Sequence, residues 1–90
     1  MIKSHTFRGK RYKISFQNNL KDKALGLCDS PAGKNKTIKI KKNMSDFNEL
    51  ETIIHESLHA CFWDIDEEAI HESSGDIARI LWRLNFRRRK

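Results

Sequence analysis

The stretch Ile53-Ile54-His55-Glu56-Ser57-Leu58-His59-Ala60 decides how the second half of the chain folds. Apolar residues recur here at helical spacing, so we predict a helix over residues 46–63. Ser45 stands before it as an N-cap residue, and acidic side chains follow in the first turn. The apolar stripe of this helix consists of Phe47, Leu50, Ile54, Leu58, Cys61 and Phe62.

A second helix is predicted over residues 67–85, after a short break at residues 64–66. Its buried stripe is expected to contain Ile70, Ile77, Leu81 and Leu84. Ser73 and Ser74 fall on the same stripe, where small side chains permit a close approach of the two helices. The chain then ends in a basic tail at residues 87–90.

The first half of the sequence alternates polar and apolar residues, which is typical of short strands. Residues 6–16 predict a β-hairpin that turns at Gly9-Lys10. Residues 18–23 predict a loop or a short helical turn, and residues 24–28 a further short strand. Residues 37–42 predict a strand whose isoleucines point inward, and its lysines indicate either a sheet edge or one solvated face.

Together these elements predict an α+β fold. An N-terminal hairpin and short antiparallel or edge strands would pack on two C-terminal helices, the first of which carries both histidines. The 90 residues predict a single domain over residues 1–90.

The composition restricts the class of protein further. Eighteen Lys+Arg against twelve Asp+Glu give a formal net charge of +6. The sequence has no apolar run of about 18 residues, so we expect no membrane span. Residues 1–5 lack the apolar core of a signal peptide, and Cys28 and Cys61 are too few for a disulfide framework. We therefore expect a cytoplasmic protein with reduced thiols.

The pattern HExxH, formed by residues 55–59, carries the predicted chemistry. Residues four apart on a helix are neighbours on one face, so His55 and His59 can both reach one ion at about 2.0–2.1 Å. Glu56 turns further from the apolar stripe and can reach a metal-bound water, for which it would act as general base. We therefore predict Zn²⁺ as cofactor and Glu56 as the catalytic residue.

A catalytic zinc needs a third protein ligand and one open position. The candidates on or just before the second helix are Asp66, Glu67, Glu68, Glu72, Asp76 and His71. Glu67 lies nearest the buried stripe in helical projection and His71 comes second. A short turn between antiparallel helices would return Glu67 towards His59. The alternative for Glu67 is a capping-box partner of Asp64.

The segments Gly26-Leu27-Cys28-Asp29, Thr37-Ile38-Lys39-Ile40 and residues 53–60 resemble small phage-type zinc metallopeptidases. These are minimal zincins, distantly similar to SprT-like proteins, in which a hairpin and an edge strand precede the HExxH helix. Their second helix opens with E-x-x-V, which Glu67-Glu68-Ala69-Ile70 matches here.

The resemblance covers the chain from about Phe7 and implies a gluzincin-like site. It implies zinc at His55 and His59, Glu56 as acid/base, Glu67 as third ligand, and a host cytoplasm if the protein is phage-encoded. The chain departs from these proteins in a shorter connection after His59, and it lacks the cysteine-rich zinc ribbon of some SprT-like proteins.

The predicted function is zinc-dependent hydrolysis of peptide bonds. A peptide or protein substrate would pair with the strand at residues 37–42 if that strand is a free edge. Tyr12 and His71 are the only candidates for stabilising the oxyanion. The alternative is a basic, nucleic-acid-associated binding protein with a structural or vestigial zinc site, whose phosphate contacts come from residues 34–42 and the tail.

Overall fold

The computed structural model describes residues 2–89 and shows an α+β fold, in which a four-stranded mixed sheet packs against two helices. The predicted fold class is therefore confirmed. The strands are β1 (Ser4–Phe7), β2 (Lys10–Gln17), β3 (Gly26–Cys28) and β4 (Thr37–Lys41). The helices are α1 (Asp46–Cys61) and α2 (Glu67–Arg83), and a short 3₁₀ turn spans Lys21–Lys23. Met1 and Lys90 lie outside the described residues, so the end of the predicted basic tail does too.

The strand order in the sheet is β1-β2-β4-β3. β1 and β3 run antiparallel to their neighbours, whereas β2 and β4 are parallel. Because β4 lies between β2 and β3, the expectation that residues 37–42 form a sheet edge is wrong. The alternation there records the two faces of an interior strand: Ile38 and Ile40 are buried, while Lys39 and Lys41 are only partly covered.

A two-residue loop joins β1 to β2, one residue earlier than the sequence predicts. Arg8 and Gly9 both have positive φ, 46° and 80°, which matches the turn type whose twist suits a tight hairpin. The loop also fastens the sheet to α1. Arg8 Nη1 donates to the carbonyl of Cys61 at 2.9 Å, and its guanidinium lies 5.3 Å from the centre of the Phe62 ring. A cation at a helix C-terminus is favourable.

The core lies between the sheet and α1. Its buried members are Tyr12, Ile38, Ile40 and Ala60. Tyr12 is fully buried and its hydroxyl donates to the carbonyl of Asp29 at 2.9 Å. Burial raises the pKa of Tyr12 to about 12. Tyr12 is therefore a core residue, and it is not available as the oxyanion donor considered above.

Helix α1 begins where the sequence predicts and ends two residues earlier. The Ser45 hydroxyl accepts from the backbone N–H of Asn48 at 3.2 Å, so the predicted N-cap is confirmed. The buried positions of α1 are Glu49, Thr52, Glu56 and Ala60. The predicted apolar stripe is only half-buried, and Phe62 is exposed, because α1 lies between the sheet on one side and α2 on the other.

Helix α2 buries a different face from the one predicted. Its buried residues are Ile70, Ser74, Gly75 and Ala78. Ile77, Leu84 and Ser73 are exposed, so those three positions were wrong, while Ile70 and Ser74 were right. Small residues let α2 approach α1 closely, which turns this face inward in place of the larger aliphatic side chains. Within residues 2–89, neither helix has the length and apolar character needed to cross a bilayer.

Candidate metal centre

Three side chains from the two helices converge at the open side of the α1–α2 interface. The Nε2 atoms of His55 and His59 lie 3.2 Å apart. His55 Nε2 lies 2.9 Å from Oε1 of Glu67, and His59 Nε2 lies 2.9 Å from Oε2. All three residues thus offer ligand atoms within 4.8 Å of one another, which forms a candidate metal-binding triad.

The donor set fits a tetrahedral divalent ion. Bonds of about 2.0–2.1 Å space tetrahedral ligand atoms about 3.3–3.4 Å apart, close to the 3.2 Å between the imidazole nitrogens. A divalent cation at this point would take one lone pair from each imidazole Nε2 and from the Glu67 carboxylate.

The exposure of the triad leaves room for a further ligand. The side chains of His55 and His59 are 18% and 17% exposed, whereas the Glu67 side chain is 69% exposed. The ring nitrogens are therefore held in place by surrounding structure, and the carboxylate side of the site opens to solvent. An open position of this kind distinguishes a catalytic zinc site from a closed structural one.

Glu67 is the residue that completes the triad among the candidates considered. It is the first residue of α2, and the side chain of Asp66 caps this helix by accepting from Ala69 N–H at 2.8 Å. The capping-box alternative with Asp64 is therefore wrong. His71 lies nearby, with its ring centre 6.2 Å from that of His55, but it is not part of the triad. The described cluster likewise leaves out the remaining acidic candidates, Asp66, Glu68, Glu72 and Asp76.

Glu56 lies on the other side of His55, beneath the edge strand β3. It is 6% exposed, although it was expected only to turn away from the apolar stripe. Burial raises the pKa of the Glu56 carboxyl to about 7, and the negative charge of Glu67 adds to the shift. A carboxyl group with a pKa near neutrality is suited to accept and return a proton.

The backbone of β3 passes directly over this carboxylate at Gly26. A Cβ atom there would lie 2.7 Å from Thr52 Cγ2 and 2.8 Å from Glu56 Oε2. The close approach of β3 to α1 therefore depends on a residue without a side chain. This contact brings the free edge of the sheet against the triad. The sequence led us to expect that residues 37–42 would form this edge.

The site opens into a groove along β3 and the end of α1. Two clefts of about 240 and 300 Å³ share Gly26, His55 and Glu56 in their walls. The larger one also contains Trp63, whose ring centre lies 6.2 Å from that of His59. Trp63 borders a third cavity of about 410 Å³, lined in part by Arg8, Phe62 and Ile65.

The described part of the basic tail makes contacts within the fold. The Arg87 guanidinium lies 3.3 Å from the centre of the Trp82 ring, and its Nη1 donates to the Trp82 carbonyl. Arg88 forms an ion pair with the buried Glu49 and lies over Phe16 at 5.0 Å. Two cations that the nucleic-acid alternative requires for phosphate are therefore already engaged.

Comparison with known proteins found no protein similar to this chain. No family model matches the chain, and neither the curated proteins nor the solved structures contain a match to it.

Proposed function

We propose that this protein is a zinc metallopeptidase of the minimal zincin type. The observation that carries the proposal is the pairing of two features in one groove. His55, His59 and Glu67 converge as a three-ligand set with an open side, and Glu56 lies buried beside it as a separate carboxyl group with a pKa of about 7.

In this proposal His55 and His59 bind zinc through Nε2, and Glu67 supplies a carboxylate oxygen. Bound zinc supplies Lewis-acid chemistry, lowering the pKa of a water to about 7 and polarising the scissile carbonyl. Glu56 accepts the proton of the attacking water and returns it to the leaving amine.

The substrate is proposed to be an extended peptide that pairs with β3. β3 ends the sheet, and its three residues line the same cleft as the triad. Backbone pairing at a free edge binds peptides with little dependence on their sequence. The aromatic side chains of Phe62 and Trp63 provide apolar surface further along the groove.

The experiment compares the wild type with Glu56→Gln, and uses Glu72→Gln as a matched control on an exposed turn of α2. Each protein is analysed for zinc by elemental analysis and for cleavage of a mixed peptide library by mass spectrometry. We expect one zinc per chain in all three proteins. Glu56→Gln should cleave about 10²–10⁴-fold more slowly than the wild type, and Glu72→Gln should cleave at the wild-type rate.

Other outcomes identify the alternatives. Equal cleavage by the wild type and Glu56→Gln would remove Glu56 as the base. Zinc-dependent folding with no cleavage by any of the proteins would indicate a structural site. Steeply salt-dependent DNA binding that survives chelation would favour the nucleic-acid module instead.

A further inference from the structure

Ser74 occupies an unusual position for a polar residue, since it is fully buried in the α1–α2 interface. Its hydroxyl oxygen lies 3.3 Å from Nδ1 of His55, the ring nitrogen on the side away from the triad. The same hydroxyl lies 3.0 Å from the backbone carbonyl of His71 and donates to it. Ser74 therefore links the backbone of α2 to a candidate ligand on α1.

Only one arrangement of protons lets the Ser74 hydroxyl form hydrogen bonds to both His71 and His55. A serine hydroxyl has one proton, and a carbonyl can only accept, so that proton points at His71. Towards His55 the hydroxyl oxygen can then only accept, which requires a proton on Nδ1. An Nδ1-protonated neutral imidazole carries its lone pair on Nε2, the atom that faces His59 and Glu67.

We propose that Ser74 is a positioning residue for the metal centre. Its hydroxyl holds the His55 ring in the tautomer and orientation that direct the Nε2 lone pair at the ion. The inference rests on the proposed zinc site. Groups that accept a hydrogen bond from the far nitrogen of a ligating histidine typically account for about 10–100-fold in metal affinity. The 3.3 Å separation is long for such a bond, so we expect about tenfold here.

A purely steric role for Ser74 makes a different prediction. Small residues at this face, including Gly75 and Ala78, permit the close contact of the two helices. Alanine at position 74 would satisfy that requirement fully, since it is smaller than serine and a better helix former. Ser74→Ala therefore separates the hydroxyl from the packing.

The test measures zinc affinity by chelator competition for the wild type, Ser74→Ala and Ser73→Ala, which changes an exposed neighbouring serine. We expect Ser74→Ala to fold normally and to bind zinc about tenfold more weakly, with Ser73→Ala unchanged. Ser74→Cys keeps the shape of the side chain, with a somewhat larger sulfur atom that is a poor acceptor, so it should show the same loss and provides a second variant if alanine disturbs the fold.

A second readout follows the Nδ1 proton of His55 by NMR in the zinc-loaded proteins. Its exchange with water should be slow in the wild type and Ser73→Ala, and fast in Ser74→Ala. Equal zinc affinity, or equal protection of this proton, in the wild type and Ser74→Ala would overturn the inference. A wild type that takes up no zinc would overturn the proposed site itself, and Ser74 as its positioning residue with it.

Discussion

Replacing Gly26 by alanine tests whether the contact between β3 and α1 holds Glu56 in place beside the candidate triad. The added Cβ would lie 2.7 Å from Thr52 Cγ2, 2.8 Å from Glu56 Oε2 and 2.9 Å from Glu56 Cγ. Non-bonded carbon atoms prefer about 3.5–4.0 Å, so the new atom is roughly 1 Å too close. Both neighbours are buried on α1. The strand must therefore move off the helix, or the Glu56 side chain must rotate.

The size of the effect follows from this crowding. Inserting one methyl group into a well-packed region costs about 1–3 kcal/mol. For a domain of this length each kcal/mol lowers Tm by about 4–8 °C, so we expect a decrease of about 4–24 °C for Gly26→Ala in thermal unfolding followed by circular dichroism. Peptide cleavage should fall more than zinc affinity, because the crowding displaces the Glu56 carboxylate directly.

Gly33→Ala is the matched control. A Cβ there would meet only the Ser30 carbonyl oxygen at 3.4 Å and Lys36 Cγ at 4.0 Å. We expect its unfolding free energy to stay the same or to rise by about 0.4–1 kcal/mol, since alanine restricts the unfolded chain. If Gly26→Ala matched Gly33→Ala in both Tm and cleavage rate, the close contact of β3 with Glu56 would be refuted.

Three further predictions follow from the site, the tail and the half-buried thiol of Cys28. Removing a group that only supports a ligand typically weakens metal binding by about 10–100-fold. Glu67→Ala should weaken zinc binding by more than this, while Glu68→Ala should leave zinc binding unchanged. Comparable losses for the two variants in chelator competition would show that the ligand is misassigned. Arg88→Ala removes the guanidinium from a buried glutamate and should lower the unfolding free energy by about 1–3 kcal/mol, against about 0.5 kcal/mol or less for Arg89→Ala; equal urea midpoints would contradict this. Burial, with a contribution from the Glu56 charge, raises the pKa of Cys28 to about 12, so at pH 8 only about one thiol in 10⁴ is ionised. Iodoacetamide at that pH should therefore label Cys28 far more slowly in the folded than in the urea-unfolded protein, and equal rates by peptide mass spectrometry would argue against the buried environment.

Local spacing was enough to predict which three side chains converge as the candidate triad. His55 and His59 are one helical turn apart, and a short connection returns Glu67 to them, as the structure shows. These relationships involve residues at most 12 apart in sequence, so helical periodicity determines them.

The surroundings of Glu56 depend on contacts that periodicity does not describe. β3 reaches Glu56 across about 30 residues of sequence, and nothing in its three residues specifies which side of β4 it joins. The strand-edge assignment failed for the same reason, because alternating lysines report the solvated face of β4 and not its neighbours. The one available signal was Gly26, since a glycine inside a short strand often marks a close approach of another element.

The inward face of α2 was misplaced because large aliphatic residues were given more weight than small ones. Ile70, Ser74 and Ala78 follow at intervals of four and form the buried row. Ser74 also follows Glu67 by seven residues, which puts both on one helix face. That spacing was present in the sequence, and it connects Glu67, the third member of the candidate triad, to the serine behind His55.

The most direct measurement is X-ray absorption spectroscopy at the zinc edge on stoichiometrically loaded protein. We predict one zinc per chain bound by two imidazole nitrogens and oxygen ligands, at about 2.0–2.2 Å, with the imidazole signal reduced by half in His55→Ala. A coordination sphere containing sulfur at about 2.3 Å, or a chain that takes up no zinc, would contradict it.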